Sequence, residues 1–130
     1  MSLSNAIETH TLKYLLTTDS VTRPTTWHVA LCTTDPTDTA LGTEVSGNSY
    51  ARQTVAFTVS GHTATNDADI EFPEATGNYS GAVVAVMIMP GLTGGTATDM
   101  IVHAQLTNDK SISTGDIFRI PAGDLEISIN

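Results

Sequence analysis

The sequence predicts an all-β protein: a single-domain β-sandwich or jelly roll of seven or eight antiparallel strands over residues 1–130, with one short N-terminal helix over 5–17. Three observations predict it. Beyond Pro24 apolar residues recur mostly at every second position in short runs, the period of a strand with one buried face. Glycine, proline, asparagine and aspartate interrupt those runs at roughly the 8–12-residue spacing of sandwiches and jelly rolls. Threonine is the most frequent residue, and its β-branched side chain suits a pleated, half-exposed surface.

The elements follow in order. Asn5, with Glu8 three residues on, has the spacing of a capping box and opens the helix. Leu3, Ile7, Leu12, Tyr14, Leu15 and Leu16 give it apolar residues on more than one side, so it is expected to pack against something on more than one side. Thr17 to Asp19 end it, and Arg23-Pro24 turns the chain into an extended path. In 26–33, Trp27, Val29 and Leu31 alternate with His28, Ala30 and Cys32. In 50–60, Val55, Phe57 and Val59 share a face. Ile70 and Phe72 flank Glu71 before Pro73 stops the strand. Gly81 to Met89 is apolar on both faces, as a central strand covered on both sides must be. Met100, Val102, Ala104 and Leu106 share a face in the next strand. Two short strands, 117–120 and 125–129, surround the Pro121-Ala122-Gly123 turn. One core between two sheets is expected to contain Trp27, Val29, Leu31, Val55, Phe57, Ile70, Phe72, Phe118, Leu125 and Ile127.

Fourteen acidic against five basic residues leave a net charge of −9. That sign excludes the phosphate neutralisation on which nucleic-acid binding depends, and it opposes docking on an anionic membrane. No apolar run reaches the length of a membrane span. Cys32 is the only cysteine, so no internal disulfide forms, and no basic-then-apolar leader is visible at the N-terminus. These features fit a protein made in a reducing cytoplasm.

No constellation reads as catalytic, no cofactor is implied, and no metal site is expected. The four histidines are scattered rather than set at metal-ligand spacing. Asp35/Asp38 and Asp67/Asp69 look like fragments of calcium loops without the closing glutamate, and read better as turn residues bonding their own backbone. Cys32 reads as a small buried hydrophobe. Arg52 and Arg119, on strands in an acidic chain, are expected to pair internally with carboxylates.

Several segments resemble one family. They are Ser2-Leu3-Ser4-Asn5, the Thr-Thr-Asp-Pro-Thr-Asp of 33–38, the Gly-Thr-Glu-Val-Ser-Gly of 42–47, Tyr50-Ala51-Arg52-Gln53 and Glu71-Phe72-Pro73. Near the end come Asp116, Phe118, Arg119, Ala122, Gly123, Asp124 and Leu125. Together these resemble the capsid cement or head decoration proteins of tailed phages, a family also labelled tail fibre. The departure lies in 78–89, where this chain is plainly aliphatic. The resemblance implies a non-enzymatic virion protein on the outer surface of the capsid, partnered by the major capsid protein. It also implies a homo-oligomer, with a trimer favoured over a dimer. A tail or tail-fibre component is the alternative. A carbohydrate-binding jelly roll is a further one, opposed by the scarcity of aromatic platforms. The long polar stretch 35–49 is expected to be a surface loop with little to bury, and such loops commonly bind. The expected capsid or subunit contacts lie on and beside this stretch and the helix: Leu3, Ile7, Asp35, Asp38, Leu41, Val45, Tyr50 and Arg52.

Overall fold

The computed structural model describes residues 1–129. In chain order they form β1 (Ser2–Leu3), α1 (Asn5–Leu16), β2 (His28–Cys32), β3 (Gln53–Thr54), β4 (Phe57–Ser60) and β5 (Thr63–Asn66). There follow β6 (Ile70–Glu71), β7 (Val83–Met89), β8 (Val102–Lys110), β9 (Arg119–Ile120) and β10 (Glu126–Ser128).

β2 and β7 make the centre. Their antiparallel register sets Val29 opposite Ile88 and Leu31 opposite Val86, while Ala30 faces Met87 and Cys32 faces Ala85. Successive side chains on a strand leave on opposite faces, so these pairs sort into two sets. Val29, Leu31, Val86 and Ile88 join Ile70, Phe72, Phe118 and Leu125 in one cluster. Ala30, Cys32, Ala85, Met87 and Met89 join Met100 in another, with Leu41 against it. β7 is therefore covered on both faces, as its unbroken apolar run predicts. The main sheet has the order β1-β8-β7-β2-β3, and the sheets β10-β5-β4 and β6-β9 contribute to the first cluster. Phe72 anchors that cluster, parallel to the Tyr50 ring with centroids 6.0 Å apart and edge-on to Phe118 at 5.7 Å. The fold is all-β with antiparallel sheets and one short helix.

Of the expected core, Val29, Leu31, Val55, Ile70, Phe72, Phe118 and Leu125 are buried, whereas Trp27, Phe57 and Ile127 pack half-buried at its margin.

The structure departs from expectation at several points. Ten strands form among the described residues because the 50–60 segment divides into β3 and β4 and two further strands escape a hydrophobic pattern. β1 is too short to alternate, and β5, Thr-Ala-Thr-Asn, is held by pairing with β4 and β10 rather than by apolar residues. The helix cap is Ser4, not Asn5. The Ser4 Oγ accepts the Ile7 N–H at 3.3 Å and donates to the Met100 carbonyl, and the Ser4 N–H donates to the Ile101 carbonyl. Glu8 thus falls one residue beyond the capping-box position. Val59 is exposed because the outer end of the β4–β5 hairpin runs past the core. Met100 lies in the second cluster, apart from Val102. The Thr96–Asp99 turn precedes it, and regular alternation starts only at Val102.

Candidate interaction surface

Stretch 35–49 folds back along β2. The Thr33 N–H donates to the Thr43 carbonyl at 2.8 Å, the Val45 N–H to the Leu31 carbonyl at 3.0 Å, and Glu44 bridges antiparallel to Cys32. Gly42 permits this approach. A Cβ there would lie 2.4 Å from the Thr34 carbonyl oxygen, closer than any side chain tolerates. Val45 is 3% exposed and belongs to the core. The expectation of a polar loop with little to bury is thereby corrected: the β2-like pairing carries its one β-branched aliphatic inward.

The return is fastened at Arg52, itself only 6% exposed. Its Nη2 donates to Glu44 Oε1 at 2.8 Å and its Nε to Glu44 Oε2 at 2.9 Å. The guanidinium also donates to the carbonyls of Gly91 at 2.9 Å and Gly94 at 2.8 Å, tying the 90–95 turn to the same point. The Tyr50 hydroxyl donates to Glu44 Oε2 at 2.7 Å and accepts the Leu31 N–H at 3.0 Å. Burial and the adjacent Glu44 carboxylate push the Tyr50 phenol upward, and the Glu44 bonds hold the Arg52 guanidinium charged. Burial likewise pushes the Cys32 thiol up to about 12, with Glu44 adding to the effect. Arg119 pairs with Asp69, so both arginines are internally paired as the acidic composition suggests.

The acidic pair Asp35/Asp38 does not bond its own backbone. Asp35 accepts from the Gln105 amide at 2.8 Å, and Asp38 Oδ1 lies 2.8 Å from His103 Nε2 while accepting the Ser2 hydroxyl at 2.7 Å. Both carboxylates thus clasp the loop to β8 and β1. The Ser2 and His103 bonds hold the Asp38 carboxyl below its ordinary range. At the far end Gly47, Asn48 and Ser49 are consecutively left-handed, with φ of 74°, 53° and 67°. Asn48 is held there by donating to the Asn78 carbonyl and accepting the Thr76 N–H.

The expected contact residues accordingly divide. Val45 and Arg52 face inward and build the surface rather than form it, because the core and the Glu44 pair claim them. Tyr50 and Leu3 are half-buried against the core, and Leu41 is half-buried over the second cluster. Asp35 is exposed, Asp38 is half-exposed, and Ile7 lines a groove of about 410 Å³ between α1 and Val21–Pro24. Sequence reasoning missed Glu44, whose pairing with Arg52 is made only when the loop folds back along β2. It also missed the exposure of α1. No residue of that helix is buried, and Leu12, Tyr14, Leu15 and Leu16 are 59–76% exposed. Among the described residues the expected packing on more than one side is not found: α1 is tied at its base, where the Ser4 and Asn5 N–H groups meet the Ile101 and Asp38 carbonyls, and has Ile7 and His10 half-buried along the groove.

Among the described residues no three His, Cys, Asp or Glu side chains gather into a metal-holding group, and no helix is long and apolar enough to cross a membrane. No curated protein matches the chain. The family described as podophage GP4 fiber I protein gp80 matches residues 2–128. The match spans the sandwich, the stapled loop and the helix alike, and this chain belongs to that family of phage structural proteins.

Proposed function

We propose that this virion protein is a capsid cement protein. It binds the outer surface of an assembled phage head, as a homo-oligomer with a trimer favoured over a dimer, and touches the major capsid protein. The observation that carries the reading is the stapled loop. A surface of Thr37, Thr39, Ala40 and Leu41, with Asp35 and Asp38 at its root, is fixed to the sandwich by Arg52–Glu44 and by the clasp to β8. A pre-organised polar surface loses little freedom on docking. Binding the assembled lattice but not free subunits stabilises the lattice by mass action, and an oligomer that touches several subunits gains effective affinity.

The test is titration of wild type and of Thr39→Glu/Leu41→Asp onto heads lacking the protein, followed by heating. Wild type should saturate the heads and raise their melting temperature, and the variant should bind at least tenfold more weakly. Wild type that leaves such heads bare ends the cement reading. The word fiber in the family description favours a second reading, a tail or tail-fibre component. Antibody labelling of intact virions separates the two, by decoration over the head or over the tail.

A further inference from the structure

Helix α1 is a twelve-residue element with no buried residue. Helices of about that length are marginal alone in water and ordinarily depend on tertiary packing of one face. Its two sides differ. Ile7, His10, Thr11 and Tyr14 border the groove shared with Val21–Pro24, and Leu15 stands at its rim. Leu12, Leu15 and Leu16 stand at i, i+3 and i+4, which places them on one stripe, and they are 59%, 68% and 76% exposed. Three adjacent, largely uncovered leucines on one helical stripe form the seam that helix–helix packing uses.

Charge selects the occupant. Within residues 1–26 the acids Glu8 and Asp19 balance the bases Lys13 and Arg23, so the entire net charge of −9 resides on residues 27–130. Two copies approaching through their sandwiches repel one another, whereas two copies meeting at the helical arm bring neutral, apolar surfaces together.

We propose that the Leu12–Leu15–Leu16 stripe of α1 packs against the same helix of a second copy and is the seam on which the protein self-associates. This rests on the oligomeric part of the reading above and not on the protein's place in the virion. The arm then becomes the axis of the assembly, and the stapled loops of the copies are left free to meet another partner.

The experiment is analytical ultracentrifugation of the full chain across about 1–100 µM, for wild type, Leu12→Glu/Leu16→Glu and the control Val59→Glu. Wild type and control should sediment as the same oligomer. The helix variant should dissociate at least tenfold more readily, with an unchanged β-sheet circular dichroism spectrum. An oligomer unaffected by the helix variant overturns the seam and leaves the oligomeric reading intact. A wild-type monomer at 100 µM overturns both. Oxidative cross-linking supplies a readout that needs no disruption. Leu16→Cys should give a disulfide-linked dimer on a non-reducing gel and Val59→Cys should not, because Cys32 is fully buried and takes no part. Equal cross-linking at the two positions overturns the seam.

Discussion

Arg52 holds the Glu44 carboxylate by both oxygens, at 2.8 and 2.9 Å, from a position where the arginine is almost wholly withdrawn from water. Its other bonds go to the Gly91 and Gly94 carbonyls, so one side chain joins the β2-flanking loop to the turn after β7. Removing one member of a buried pair leaves the other uncompensated, at about 3–5 kcal/mol when both are fully buried. The Glu44 side chain keeps 26% exposure, so Glu44→Gln should cost less, about 2–3 kcal/mol after allowing for solvent screening. Urea unfolding measures it. A loss below ~0.5 kcal/mol would mean the loop is held by its backbone pairing alone.

Cys32 gives an alkaline signature. Its thiol is raised above the ordinary value in the folded protein, so its contribution to stability is complete below about 9 and declines as pH rises toward about 12. Tyr50, raised for the same reasons, adds in the same direction. Thiol-reactive dye should leave Cys32 unlabelled at pH 8 until denaturant is added. Rapid labelling of the native protein would contradict its burial.

The Asp38–His103–Ser2 clasp responds to acid. The Asp38 carboxyl is depressed in the folded state, so its contribution is present above the ordinary carboxyl range and disappears as pH falls through the depressed value. The Asn5 N–H, bonded to the Asp38 carbonyl, should exchange with deuterium faster in Asp38→Asn than in wild type at pH 7. The two proteins should converge at low pH, and identical rates at pH 7 would show that the clasp does not fasten the N-terminal strand.

Core position sets the cost of aromatic truncation. Phe72 is 2% exposed between Tyr50 and Phe118, and Phe72→Ala should lose about 3–5 kcal/mol. Phe57, half-buried at the margin, should lose about 1–2 kcal/mol as alanine, since only part of its surface leaves water on folding. Equal losses in urea melts would place Phe57 deeper than its strand allows.

The sequence by itself determined the class of fold and the inward set of residues. Period-two alternation is local: it needs only that a strand send successive side chains to opposite faces, and it placed Val29, Leu31, Val55, Ile70 and Phe72 in the interior. An unbroken apolar run marked β7 as a central strand, and net acidity marked both arginines as internally paired. The segments between Ser2 and Leu125 resembled a phage family, and the family match over residues 2–128 bears out a phage structural protein.

What only the tertiary structure decided depended on partners distant in sequence. β5 carries no apolar pattern and exists through β4 and β10. Asp35 and Asp38 look like turn residues until β8 brings Gln105 and His103 beside them. Stretch 35–49 reads as a free loop until Leu31 supplies the carbonyl that draws Val45 inward. The exposure of Leu12, Leu15 and Leu16 was equally invisible, because an apolar stripe on a helix has the same pattern whether its partner is the same chain or another.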